Sequence, residues 1–549
     1  MPAQSGFIPL MKKHFVIILF IFAFIYSCKA PVPKQSDVVR NLVQLRSAVK
    51  ENLKARIDFI ADSDSIEEQI SNPTALILFY ERNKYSTIWS DSSLWMNNTD
   101  SLLKWLCSAP DNGIDTSLLQ FTKINSLIHL SKTDTNAVRD AALYAHAEIL
   151  LTDAYFNYAN RLCFSQSAPD SIRLKKEKKF SDSMLVTLLL HDLQAHQFSA
   201  SVSALEPHHP QYLDLKSALK KYREEYLPSS WSKVPDTPSF TSVFKNSLKE
   251  RLLQSCDYDS TLHKSDSMKL AIAIKNFQKK SGLFPDGKPG LRTLKAMNYS
   301  AQDRIAQINL MLDWWRAEPD RFPEKYLFVN LPSFQLQYWA IDTVRLESRI
   351  ICGSLHHNSP LLNSAVNYFI TYPFWVVPFS IATKEILPHL QKDTSYLAKH
   401  NMEVLNSARE VIDYKPINWK KYSRKYFPFI LRQKEGLDNS LGVVKFIFPS
   451  KYGIYLHETD ARSLFKKDFR ALSHGCIRVE QAVQLAYSLA LSDSVKYPAD
   501  SITHWLSTKT KKQINLTARV PVYIRYYLCD VRDGELIFYE DIYSYCGKK

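Results

Sequence analysis

The chain has 549 residues, 45% of them apolar and 23% charged, and its 70 basic against 55 acidic side chains give a formal charge of +15. That length suits several domains and that apolar content several buried cores, which excludes wholesale disorder. The charge favours polyanions, but the basic clusters (Arg173 to Lys179, Lys420 to Lys425, Lys509 to Lys512) are short and carry no recognisable nucleic-acid module, so nucleic acid is not an expected partner.

At the N-terminus Lys12 and Lys13 precede an unbroken apolar run, Phe15 to Tyr26, followed by Ser27 and Cys28. Such a run is too short for the roughly 20 residues that span a bilayer. A basic start, a short apolar core and a small residue at the cut site read instead as a secretory signal over residues 1–28. Ile25-Tyr26-Ser27-Cys28 resembles a bacterial lipobox, although Tyr26 is unusual there; the resemblance implies lipidation at Cys28. An uncleaved anchor is the alternative. Either way the bulk of the protein is expected on the periplasmic side of the envelope, tethered to a membrane and, in the lipoprotein reading, to the outer one. The other seven cysteines show no CxxC pair and no zinc-like spacing, so no metal is expected. Seven is odd, which leaves at least one thiol unpaired even where disulfides are permitted.

Residues 29–261 read as a polar tether leading into a helical scaffold. No glycine occurs between Gly113 and Gly282, and Ala141 to Arg161 places apolar side chains on a helical stripe without a breaker. Tyr80, Tyr85, Ile88 and Trp89 read as core packing, and Leu227 to Phe244, with three prolines, as a connector. Residues 262–300 form a compact unit of two helical faces (Leu270, Ile274 and Phe277; Leu291, Leu294 and Met297) around the turn-rich SGLFPDGKPG. Residues 301–323 read as a linking helix, with Trp314 and Trp315 wedged against the next domain.

From 324 to 545 the period changes to that of strands. Expected strands cover LFVNLPSFQLQYWAI, Val344 to Gly353, Asn367 to Thr371, Leu441 to Phe448, Gly453 to His457, Pro521 to Val531 and Glu535 to Tyr539, with a helix over Glu480 to Leu491. A polar insert at about 381–430 interrupts them and is read as a lid or binding subdomain. The fold class is multidomain α+β: a mostly helical scaffold, a small helical module, and a β-rich domain with a capping insert.

The chemistry concentrates in Tyr455 to Val479, YLHETDARSLFKKDFRALSHGCIRV. Cys476 follows Ser473, His474 and Gly475 in a polar loop, and His457 ends a strand upstream. A thiolate is the reactive form of cysteine, and a nearby base generates it near neutral pH. His457 is the expected general base; His474, only two positions before Cys476, would face the sulfur awkwardly but stays open as the alternative. Amides around His474, Gly475 and Cys476 are candidates for an oxyanion hole, and Gly475 permits the tight backbone approach. Arg478 would order the loop or engage a substrate carboxylate, and Ser473 would support the loop by hydrogen bonding. Tyr455, Trp375 and Tyr368 are candidates for lining a substrate groove, or plain core.

SHGCIR after an upstream histidine resembles the motif of the L,D-transpeptidase catalytic domain. FVNLPSFQLQYW, NSPLLNSAVNYFI, YPFWVVPFSIATKEILP and LGVVKFIFPSKYGIYLHETDARSLF resemble further parts of its long multidomain members. AIKNFQKKSGLFPDGKPGLRTLKAMN resembles a peptidoglycan-binding-like module, or a spacer derived from one. The family resemblance implies acyl transfer between peptidoglycan stem peptides through Cys476, giving direct cross-links between third residues, with acylation by carbapenems and no metal or organic cofactor. Glu458 stands where many members carry a small residue, which leaves the group that orients His457 open. An L,D-carboxypeptidase or hydrolase on the same scaffold, and a non-catalytic wall-tethering lipoprotein, are the alternatives; the paired His457 and Cys476 speak against the last.

Overall fold

The computed structural model describes residues 38–39, 41–62, 70–91, 94–174, 177–227, 231–239, 241–491 and 499–547. The expected signal segment and Cys28 lie outside them. Among the described residues no helix is long and apolar enough to cross a membrane.

The N-terminal region packs α1 (Leu45–Asp62), α2 (Pro73–Arg82), α3 (Asn97–Cys107), α4 (Phe121–Thr133), α5 (Ala141–Cys163), α6 (Asp182–Ala195), α7 (Ala200–Ser203) and α8 (Pro210–Tyr226), with a short hairpin of β1 (Ser90–Asp91) and β2 (Leu94–Trp95). α5 is its axis and is buried almost all round, as befits a helix apolar on every side. Its acids therefore face backbone rather than water. Glu148 accepts from the amides of Ile88, Trp89 and Ser90 at 2.8–3.0 Å, and Asp153 from those of Ser71 and Asn72. Trp89 and Tyr80 are fully buried beside it, in the core as expected.

A second core joins Val234, Phe244, Leu248 and Leu252 to Ala273, Ile274, Phe277, Leu294 and Met297. The small module thus packs α9 (Ser242–Gln254) with α10 (Asp266–Lys280) and α11 (Leu291–Met297), and this packed unit starts upstream of residue 262. α12 (Ala301–Trp315) then runs into the β domain, opened by a Ser300–Asp303 capping box. Trp315 stacks on Phe328 and Tyr527 with ring planes 2° and 7° apart. The neighbouring Arg316 is bonded to the carbonyls of Leu162 and Asn112 and to the Tyr212 hydroxyl, which ties the scaffold to the linker.

The β domain is a nine-stranded sheet in the order β13-β5-β14-β12-β11-β6-β15-β3-β4, and a β4–β5 pairing closes it on itself. Its strands are β3 (Lys325–Asn330), β4 (Gln335–Ala340), β5 (Thr343–Gly353), β6 (Leu362–Thr371), β11 (Val444–Ile447), β12 (Leu456–His457), β13 (Ala471–Ser473), β14 (Ile477–Val479) and β15 (Lys512–Arg525). α16 (Ala482–Leu491) packs on the sheet, and α17 (Ala499–Ser507) packs on α16. One expected strand needs correction. Pro521 to Val531 is not continuous: β15 starts at Lys512 and ends at Arg525, and β16 (Cys529–Arg532) is a new strand paired with β17 (Glu535–Phe538). Pro521 follows a register shift between Asn515 and Val520 and lies opposite Ala365 of β6, one residue before the pairing with β3 begins at Val522. Tyr527 leaves the ladder, its amide bonded to Asn330 Oδ1 at 2.8 Å and its ring on Trp315.

The insert has its own core around Leu387, Leu397, Val404, Trp419 and Leu431. It contains a sheet of β7 (Trp375–Val376), β10 (Ile430–Gln433), β8 (Met402–Leu405) and β9 (Val411–Ile412), and helices α13 (Phe379–Ile381), α14 (Leu387–Leu390) and α15 (Ser395–Lys399). A π-helical turn over Ala382–Ile386 joins α13 to α14. Its sheet recruits Trp375 and Gln433, so the subdomain is wider than 381–430 at both ends.

Candidate active site

β12 lies between β11 and β14, with Lys445 paired to His457 and His457 to Arg478. Paired residues project to the same side of a sheet, and successive residues alternate sides. Lys445, His457 and Arg478 therefore share one face, joined by Tyr455 and Cys476, each two positions earlier and immediately ahead of its strand. Contacts agree with this: the Lys445 ammonium lies 3.7 Å from the Tyr455 ring centroid, and the Tyr455 and His457 rings meet edge-on at 5.5 Å. The alternate residues Phe446, Leu456, Ile477 and Val479 are fully buried in the core that also contains Leu485 and Leu489 of α16. One side of the same strands is thus core, and the other carries every ionisable group of the site.

Burial sets the chemistry of these groups. The His457 imidazole is 5% exposed and bonded through Nδ1 to the carbonyl oxygen of Glu458. A carbonyl only accepts, so Nδ1 carries the proton and Nε2 remains the basic nitrogen. Burial, with Arg478 and Lys445 nearby, holds the His457 pKa well below its ordinary value. Burial pushes the Cys476 thiol above its ordinary 9.0, opposed by hydrogen bonds from the Tyr455 amide and side chain and by the charges of Lys445 and Arg478. Lys445 is itself lowered by burial. The resting pair is neutral thiol and neutral imidazole, surrounded by cations that favour thiolate.

The loop is held from two directions. Ser473 Oγ donates to the Cys476 carbonyl at 2.5 Å and accepts from the Gly475 amide at 3.1 Å. Gly475 has φ +112°, a conformation that requires glycine. Ser359 Oγ donates to the Gly475 carbonyl at 2.7 Å and accepts from the Gly353 amide, while the Tyr543 hydroxyl bonds the Gly353 carbonyl at 2.6 Å. His474 turns away from this network and meets Glu385 of the insert, Nε2 to Oε1 2.8 Å. Arg478 Nε is buried without a hydrogen-bond partner among the described residues, so Arg478 does not tie the turn down through that atom; burial lowers its pKa, opposed in part by the Asp460 carboxylate. The Glu458 carboxylate accepts from the Val443 amide at 2.7 Å and pairs with Arg462, which fixes the ends of β11 and β12.

Trp375 is half-buried on β7, where its side chain reaches Tyr455. Tyr368, on β6 opposite Ile447, shares the face of Lys445. Two cavities flank the loop. One of about 720 Å³ is lined by His357, Asn358, Tyr452, His474 and Gly475, and one of about 370 Å³ beneath the insert by Trp375, Glu385, His389, His400 and Asp460. The Glu385–His474 contact lies between them.

Sequence reasoning passes over Lys445, Ser359, Glu385 and Tyr543. Lys445 is visible as the lone charge in VVKFIF, but strand alternation alone assigns it to solvent, and only the register puts it opposite His457. Among the described residues no group of three or more His, Cys, Asp or Glu side chains is placed to hold a metal ion, and no two of the cysteines from Cys107 to Cys546 form a disulfide.

Residues 324–496 match the family model of the L,D-transpeptidase catalytic domain, and residues 74–219 that of a scaffold domain. A Haemophilus influenzae protein named "Putative L,D-transpeptidase" is 35% identical over 219 residues, 40% of this chain. The match covers 44% of that relative, less than half its length. A crystal structure of an L,D-transpeptidase from Stackebrandtia nassauensis is 15% identical, with 56% of this chain and 100% of that one covered and a TM-score of 0.20. Residues 324–496, which enclose His457 and Cys476 and follow the scaffold match, thus belong to the L,D-transpeptidase catalytic-domain family.

Proposed function

We propose that the protein cross-links peptidoglycan by forming a thioester between Cys476 and a donor stem peptide. The observation that carries this reading is the shared strand face of Lys445, Tyr455, His457, Cys476 and Arg478 inside the matched catalytic domain. His457 Nε2 takes the thiol proton as sulfur attacks the carbonyl at the L-centre of the third stem residue. The carbonyl π electrons move to oxygen, where the amides of His474 and Cys476 are available to receive them; the Gly475 amide is already committed to Ser473. Collapse expels D-alanine, whose nitrogen takes the proton from His457. An imidazolium beside Lys445 and Arg478 is disfavoured, which makes it a ready donor. The amine of a second stem then attacks the thioester, the carbon–sulfur bond breaks, and the proton returns to Cys476 through His457.

The unpartnered Arg478 Nε suits a stem-peptide carboxylate. The insert serves as a lid, with the cavities on either side of the Glu385–His474 contact available to donor and acceptor. The signal-like segment of residues 1–28 and Cys28 support a lipid-anchored position on the periplasmic side of the envelope, with the module of residues 262–300 holding the enzyme to the wall.

Mass spectrometry tests the chemistry. A disaccharide tetrapeptide donor is expected to leave an acyl group on Cys476 with loss of D-alanine, and a carbapenem to add its own mass there. An unmodified protein, or an adduct that persists in Cys476→Ala, would overturn the reading. Dimeric product, rather than a shortened monomer, separates transpeptidation from hydrolysis.

A further inference from the structure

A cavity of about 340 Å³ lies far along the chain from the nucleophile, where α8, α9, α10, α12 and the β16–β17 hairpin meet; none of the active-site residues lines it. Its walls are aromatic, with Tyr222, Tyr226, Trp231, Phe277 and Phe538. Its buried charges are Arg251, 1% exposed, Asp257, 4% exposed, and Arg304, 6% exposed. Asp214, Glu225 and Glu535 are exposed at the rim, with Lys221 among them. Lys280 pairs with Asp257 at 3.0 Å, and the same carboxylate also faces Arg251.

Arg251 is the anomaly. Its Nε donates to the Met297 carbonyl at 2.8 Å and its guanidinium stacks on Trp231 at 3.8 Å, yet Nη1 is buried with no partner among the described residues. Trp231 Nε1 is buried and likewise has no partner among the described residues. A buried guanidinium with one nitrogen unbonded, whose nearby carboxylate Asp257 is shared with Lys280, is costly, and an arginine fork is shaped to receive a further carboxylate. We propose that this cavity is a second ligand site that takes the zwitterionic end of an amino acid or short peptide, its carboxylate on Arg251 and its ammonium toward Asp214, Glu225 and Glu535. Two sources offer that chemistry here, a stem peptide and the D-alanine released by transfer, and naming them rests on the function proposed above. Occupancy clamps the small module between the scaffold helix and the C-terminal hairpin.

Tryptophan emission of the full chain carrying Cys476→Ala is followed while disaccharide tetrapeptide or, separately, D-alanine is added. A saturable change is expected with at least one probe, absent in Trp231→Phe and shifted at least tenfold to weaker binding in Arg251→Lys. Ser217→Tyr, which narrows the mouth from an exposed position on α8, is expected to weaken binding equally and guards against a folding defect in the arginine variant. The responding probe identifies the source. No saturable response with either probe, or unchanged affinity in Ser217→Tyr, overturns the site. Carbapenem adduct formation in the chain with Cys476 intact, measured in parallel, separates the two proposals: its loss removes the transpeptidase reading and leaves the cavity result standing.

Discussion

The scaffold axis and the catalytic strands bury ionisable groups in opposite ways. Glu148, fully buried on α5, accepts three backbone N–H groups and the Ser90 hydroxyl; Asp153 accepts two more amides. Arg525 and Glu318, both wholly inaccessible, satisfy one another, with Tyr527 as third partner. Lys445, His457, Cys476 and Arg478 have no such closure: two cations, an imidazole and a thiol share a face, and one guanidinium nitrogen has no partner among the described residues. Buried charge with its hydrogen bonds complete holds structure; buried charge left incomplete is held ready for another molecule.

Variants can break that contrast. The largest effect is expected at Cys476: Cys476→Ser loses on the order of 10⁴-fold or more in acylation, because the hydroxyl is a far weaker acid and nucleophile in the same geometry. His457→Gln follows, with a loss of about 10²- to 10⁴-fold. Because His457 titrates well below 6.5, carbapenem acylation by the native chain should show no histidine step between pH 6.5 and 8. The linkage has a definite sign: the unfolded histidine gains its proton near pH 6.5 while the folded one stays neutral, so stability is full above that pH and falls as pH drops below it. A urea titration series at pH 5 to 8 on native and His457→Gln chains would show this dependence weakened in the variant.

Glu148→Ala sharpens the other side. Removing the acceptor of three buried amides should cost about 3 kcal/mol of stability, read as a lowered melting temperature, while the acylation rate of the folded fraction is unchanged. Lys445→Met comes next. It removes one of two cations that favour thiolate, so acylation should fall about tenfold and its alkaline limb move to higher pH.

The two regions also differ in how far the chain's residues announce them. The apolar pattern from Ala141 to Arg161 specifies α5, and the Ser-His-Gly-Cys loop announces a nucleophile, because both depend on near neighbours. What is not local escapes. Lys445 gains its meaning from a register with His457 that no spacing encodes. The orienting group for His457 is a backbone carbonyl, which every residue carries. Tyr543 reaches the loop through Gly353 and Ser359, nearly 200 positions away. The break between β15 and β16 follows from Tyr527 packing on Trp315, a contact between the last strands and the linking helix.

The smallest expected effect lies where the insert touches the Cys476 loop. Glu385 and His474 are both about half exposed, so their 2.8 Å contact is screened by water and worth little to stability. Its position gives it leverage, since Glu385 sits on a π-helical turn and His474 is the second residue before Cys476. Such turns are recurrent at sites that must adjust. Glu385→Gln keeps the shape and a neutral hydrogen bond but removes the charge, so the melting temperature should hold and acylation by a carbapenem change only about two- to fivefold. A variant indistinguishable from native in rate would show that the insert is positioned by its apolar core around Trp419 and Leu431 alone.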